Sequence, residues 1–126
     1  MVAAAHVSRT SRLHNLLRDM VNIYSPSGKE QEIVAFLHEY LEAYSLPVRL
    51  LEVNDERYNI VVSVGQSPPT YAFVGHVDTV PAYDIETYEA GQEGDLLRGL
   101  GAADMKGGCA AMIEAFIRFT ECSSAP

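Results

Sequence analysis

From Ser11 to Tyr24 the apolar residues Leu13, Leu16, Leu17, Met20, Val21 and Tyr24 fall three and four positions apart. That is the spacing of an amphipathic helix. The stretch SPSGKE, Ser25 to Glu30, breaks the stripe. Ser27 and Glu30 have the spacing of a capping box, which predicts the start of a second helix. In that helix Ile33, Val34, Leu37, Tyr40, Leu41 and Tyr44 repeat the stripe, and Pro47 closes it. The shared apolar phase leads us to expect both helices on the same sheet.

After Pro47 the period changes. VRLLEV and YNIVVSV are β-rich runs joined by NDER, the pattern of a hairpin. TYAFVGHV, Thr70 to Val77, is apolar at nearly every position, as a central strand buried on both faces would be. Ala82 to Asp95 is polar and reads as exposed. A short strand follows at Leu96 to Arg98, then the turn GLGAAD, then a helix from about Lys106 to Thr120. The order α-α-β-β-β-β-α predicts an α/β fold with helices packed on a sheet.

Composition narrows the function classes. The chain has 126 residues and a net charge of -8, from 17 acids against 9 bases. Such a surface repels phosphate backbones, so nucleic acid is not an expected partner. Every apolar run falls short of the roughly 20 residues that span a bilayer, so no membrane is expected either. The alanine-rich start reads as a tail over residues 1–10. Cys109 and Cys122 lie thirteen positions apart in one predicted helix, about 20 Å along its axis. A disulfide needs Cα atoms within about 7 Å. The pair therefore reads as reduced thiols in a cytoplasmic chain. Cys109 reads as a small buried hydrophobe, and His6, His14 and His38 as surface positions without a site around them.

The candidate chemistry sits where elements end. His76 and Asp78 close the TYAFVGHV run, two positions apart and so on one side of an extended chain. Asp104 lies just past the Leu96–Arg98 strand, bracketed by Gly99, Gly101, Gly107 and Gly108. An imidazole backed by a carboxylate, with a second carboxylate from a neighbouring strand end, suits a divalent cation. The same residues also read as a hydrogen-bonded loop pair and a helix N-cap. That reading leaves the glycines unexplained. Lys106, at a helix start, is expected to be solvated or paired with an acid.

GHVDTVP followed by GLGAADMKGG resembles the metallopeptidase family of acetylornithine deacetylase, succinyl-diaminopimelate desuccinylase, aminoacylase and glutamate carboxypeptidase. SPSGKE before a helix, YNIVV before the histidine strand, and Asn59 within it fit the same family. The similarity runs from about Leu13 to Thr120. Leu100 departs from it, standing where the family usually has Arg, and the tryptophan common between the two motifs is missing.

The resemblance implies a zinc-exopeptidase-like catalytic domain with a mixed, mostly parallel sheet. It implies two divalent cations, Zn2+ or in its place Co2+ or Mn2+. It makes His76 a ligand to one metal, Asp104 the carboxylate bridging both, and Asp78 the catalytic-site acid that supports the histidine. It also implies a cis peptide between Asp104 and Met105. The implied reaction is cleavage of an amide bond in an N-acyl amino acid or small peptide, with a leaning toward deacylases of amino-acid biosynthesis. The family's general-base glutamate, its remaining metal ligands and its dimerisation domain would lie downstream. Residues 1–126 are accordingly expected to be the N-terminal portion of a catalytic domain, inactive alone, from an enzyme that is a homodimer when complete. A different class, a nucleotide-binding module using GLGAAD as a phosphate turn, would place Asp104 where it repels a pyrophosphate.

Overall fold

The computed structural model describes residues 9–54, 56–83 and 87–123. Helix α1 spans Arg9–Val21 and α2 spans Gln31–Ala43. Strands β1 (Val48–Asn54) and β2 (Arg57–Val62) form an antiparallel hairpin in which Val48 faces Val62 and Leu50 faces Ile60. A second antiparallel hairpin pairs β3 (Gly91–Glu93) with β4 (Leu96–Arg98). A π-type turn, Ala102–Lys106, then leads into α3 (Gly107–Ser123). The expected tail lies largely outside the described residues, and α1 already begins at Arg9.

The helix stripes do what their spacing predicts. Leu16 and Met20 of α1, Ile33 and Leu37 of α2, and Cys109 and Ala110 of α3 bury against one another. Leu41, Leu46 and Ile117 form a second cluster backed by Val48, Ile60 and Val62 of the hairpin. The two leading helices do not cover one sheet, however. Helix α2 lies on the β1–β2 hairpin, whereas α1 packs on α3. A shared apolar phase fixes which face of a helix is buried but not what buries it.

The strand expected at Thr70–Val77 is the main departure. It joins no ladder among the described residues, which contain two separate two-stranded antiparallel sheets. Tyr71, Phe73 and Val74 are 88%, 68% and 85% exposed. An apolar run can form a central strand only when neighbours pair with both its edges and cover both its faces. Here only its C-terminal end is gripped. Gly75 lies so close to α3 that an added Cβ would sit 2.7 Å from Met112 Cε and 2.8 Å from Cys109 Sγ. The two ladders among the described residues are antiparallel because each comes from a hairpin. The β3–β4 hairpin was hidden in the polar stretch, since all of β3 is exposed and has no apolar alternation.

A guanidinium ties the first and last helices together. Arg12 of α1 donates to both carboxylate oxygens of Glu114 (2.7 and 2.8 Å) and to Glu121 (2.8 Å), with the ring of Tyr44 5.3 Å away. The hydrogen bonds from Arg12 to Glu114, then to Glu121, hold Arg12 above its already high ordinary pKa. Glu114 is buried, and Arg12 is the cation that faces it.

Arg12→Met should therefore destabilise the fold by about 3 kcal/mol, by stranding a buried carboxylate. Glu121→Gln, at the exposed end of the network, should cost less than about 1 kcal/mol. Urea denaturation of the two variants checks this, and equal losses would contradict it. The exposed Tyr71–Val74 run predicts a second property. No Asp, Glu, Lys or Arg occurs from Tyr58 to Val77, so nothing charged protects this segment from pairing with another chain. Light scattering should show association that grows with concentration and falls in Phe73→Lys. A clean monomer at millimolar concentration would contradict it.

Candidate metal centre

The site is assembled around the connection between α1 and α2. Helix α1 ends at Val21, and Ile23 N donates back to Met20 O (3.3 Å) just beyond it. Lys106 reaches the same place from across the fold: its Nζ donates to Met20 O (2.9 Å) and Ile23 O (2.7 Å). Lys106 is only 1% exposed. Burial pushes its pKa down to about 8, while the two carbonyls hold the ammonium in place. The sequence reading placed this lysine in solvent or against an acid; the structure buries it against backbone instead. A cation at the negative end of a helix is favourable there.

Lys106 closes the turn that carries Asp104. Its backbone N–H donates to Gly101 O (2.9 Å), and Ala102 N donates to Gly99 O (3.1 Å). Gly101 has φ 77°, and a Cβ there would fall 2.4 Å from Thr79 Cγ2. Only glycine fits that approach of the turn to the 77–79 segment. Asp104 has non-helical geometry (φ -128°, ψ 93°) and lies three positions before α3 begins at Gly107, too early to be its N-cap. The Asp104–Met105 peptide is cis, as the resemblance implied.

His76 and Asp104, 28 residues apart in sequence, meet: Nε2 lies 3.1 Å from Asp104 Oδ1. On the other side of the ring, Nδ1 lies 3.2 Å from Asp78 O and 3.1 Å from Asp78 Oδ1. All three residues line one cleft of about 360 Å³, together with Ser27, Thr79 and Gly101. The expected trio is therefore brought together, with Asp78 behind the imidazole. It is open to solvent: the side chain of Asp104 is 89% exposed and that of His76 49%.

Asp78 holds the His76 pKa above the ordinary histidine value, first through its backbone carbonyl; the Asp104 carboxylate adds to this. The Ser27 hydroxyl, above all, holds the Asp78 carboxyl below its ordinary value. An imidazolium here donates from both nitrogens, one to each acid. A cation at Nε2 has to displace that proton, so metal affinity should rise with pH as the ring becomes neutral.

A nitrogen and a carboxylate oxygen side by side in an open cleft are a donor set suited to zinc or a similar divalent cation. Among the described residues no cluster of three or more His, Cys, Asp or Glu side chains could hold a metal ion. His76 and Asp104 thus fit as part of a ligand set.

Sequence reasoning missed Ser27 as a site residue. Its spacing from Glu30 looked like a capping box, but α2 has no side-chain cap bond. Glu30 instead accepts from Gly28 N and from Arg57, and the Ser27 hydroxyl donates to Asp78. The signal in the sequence was the SPSGKE turn itself, which the family resemblance already included.

Residues 72–125 match peptidase family M20/M25/M40. Together with the two motifs in order and the site they form, this match shows that the chain belongs to that family of hydrolases. Among curated relatives, the probable succinyl-diaminopimelate desuccinylase of Staphylococcus epidermidis is 34% identical over 111 residues, covering 84% of this chain and 27% of the relative. The probable succinyl-diaminopimelate desuccinylase of Staphylococcus aureus is 30% identical over 116 residues, covering 88% and 28%. The putative LysW-lysine/LysW-ornithine hydrolase of Pyrococcus abyssi is 39% identical over 101 residues, covering 80% and 28%. The chain thus spans about a quarter of the length of these relatives.

The raised His76 pKa sets a pH test. The folded ring holds its proton more tightly than the unfolded one. Its contacts therefore contribute stability below the ordinary histidine pKa, and this is lost as pH rises through the raised value. The His76 Cε1–H resonance should titrate above about 6.5, and Asp104→Asn should lower its midpoint. An unchanged midpoint in Asp104→Asn would show that the two side chains do not meet in solution.

Proposed function

We propose that this chain carries the first half of a two-metal centre in an amidohydrolase. The reaction would be cleavage of an N-acyl amino acid or small peptide at its amide bond. The observation that carries the reading is the contact between His76 Nε2 and Asp104 Oδ1 in an open cleft, with Asp78 on the far ring nitrogen. The names of the relatives, desuccinylase and LysW-lysine/LysW-ornithine hydrolase, support hydrolysis of an acylated amino acid.

In this reading His76 offers the Nε2 lone pair to a cation, and Asp104 offers a carboxylate able to reach two. Asp78 keeps the remaining imidazole proton on Nδ1, which fixes the tautomer and raises the basicity of the ligand nitrogen. Two divalent cations, Zn2+ foremost, would supply Lewis acidity toward the scissile carbonyl and activate water near neutral pH. The open face of the cleft, where Asp104 is exposed, is where further ligands and substrate would arrive. The resemblance extends the proposal to a general base and remaining ligands from downstream sequence, and to a homodimer in the complete protein. On its own the chain should not turn over substrate, because a catalytic zinc needs about three protein ligands plus an open position.

A chimera tests this. Residues 11–123 would replace the matching segment of the Staphylococcus epidermidis relative, and release of succinate from N-succinyl-diaminopimelate would be measured. Metal-dependent hydrolysis is expected, lost at least about 100-fold in Asp104→Ala and in His76→Ala. A folded chimera whose activity ignores both substitutions would overturn the reading.

A further inference from the structure

The turn between α1 and α2 grips the segment that carries His76 and Asp78 at several points. Thr79 N donates to Ser25 O (2.9 Å), and Ser27 N donates to Thr79 O (3.2 Å). These bonds make a parallel bridge centred on Pro26 and Thr79. From the same turn, the buried Ser25 hydroxyl donates to Val77 O (2.8 Å). The backbone from Val77 to Thr79 is thus held on both sides of Asp78. The Asp78 side chain is then left with only its own two torsions, χ1 and χ2, to settle.

Ser27 settles them. Its hydroxyl donates to Asp78 Oδ2, while Asp78 Oδ1 faces His76 Nδ1 at 3.1 Å. The two oxygens of one carboxylate are divided between two partners, so engaging Oδ2 aims Oδ1 at the ring. Half the imidazole surface is open, and Asp78 is the residue that meets Nδ1, through Oδ1 and through its backbone O at 3.2 Å. The sequence from Ser27 through Asp78 and His76 to Asp104 is continuous, each step within hydrogen-bonding distance.

We propose that Ser27 is a positioning residue for the candidate metal centre: its hydroxyl locks the Asp78 carboxylate, which holds His76 with the proton on Nδ1 and Nε2 free for a cation. This inference rests on the metal reading of His76 given above. The SPSG turn thereby acquires a role in the site rather than in helix capping. Removing a support of this kind behind a ligand histidine ordinarily weakens metal affinity by about 10–100-fold.

The test compares Ser27→Ala and Ser27→Thr with the parent chain by nitrogen-15 NMR of the imidazole, at a pH where the ring is neutral, and by zinc titration. The parent and Ser27→Thr should show the Nδ1–H tautomer. Ser27→Ala should show a mixture of tautomers and about tenfold weaker zinc binding at His76, with little change in Tm. Should Ser27→Ala lose its fold, Ser27→Cys provides the comparison, since a thiol keeps the volume but donates weakly. An unchanged Nδ1–H tautomer and zinc affinity in the folded variant would overturn the proposal. The tautomer is read without metal, so this failure is distinct from that of the metal reading, in which zinc would leave the parent's His76 resonances unmoved.

Discussion

The buried ammonium of Lys106, donating to Met20 O and Ile23 O, fastens the glycine turn before α3 to the end of α1. Everything at the site leans on that fastening. Residues just after α1 reach outward in turn: Asn22 Oδ1 accepts from Ala90 N, and the Tyr24 hydroxyl accepts from Ala82 N. Ser25 and Ser27 hold the backbone on either side of Asp78. A single short connection therefore touches the histidine segment, the loop that follows it, and the aspartate turn. A lysine is costly to bury, and the cost is tolerable here because its donors meet two backbone carbonyls, of Met20 and Ile23.

That arrangement explains why a site can form in so small a chain. His76 and Asp104 come from segments that share no ladder among the described residues. They meet because the 77–79 backbone is pinned to the SPSG turn and the 99–106 turn is pinned to the same connection through Lys106. Gly101 allows the two to approach, its Cα facing the Thr79 methyl. The resulting cleft is open and charged, with an imidazole between two carboxylates. In the proposed reading such a group would offer donors to a cation without enclosing it.

The helices were legible in the sequence because each stripe repeats over several turns, and burial follows the stripe in Leu16, Met20, Ile33 and Leu37. The meeting of His76, Asp78 and Asp104 was legible because they fall in two motifs whose order and spacing are specific. What was not legible depended on distant partners. Thr70–Val77 has the composition of a central strand, but pairing is set by neighbours, and the described residues supply none. Lys106 looked like a surface residue because charge normally stays in water; only the fold brings two backbone carbonyls to it. Ser27 was misassigned because its spacing from Glu30 satisfies a local rule, while its actual acceptor lies 51 residues away. Local pattern found the elements and the chemistry, and long-range hydrogen bonds decided how they were used.

Zinc titration of this chain, followed by NMR at neutral pH or slightly above, tests the central claim most directly. The account predicts weak binding, with a dissociation constant no tighter than micromolar. The shifts should be concentrated at His76, Asp78 and Asp104 and abolished by His76→Ala. Too few ligands are present to offset the desolvation of the ion more fully. Zinc that leaves those resonances in place while binding elsewhere would contradict the claim that this cleft is a metal centre. Nanomolar binding through His76 would contradict the claim that the chain supplies only part of one.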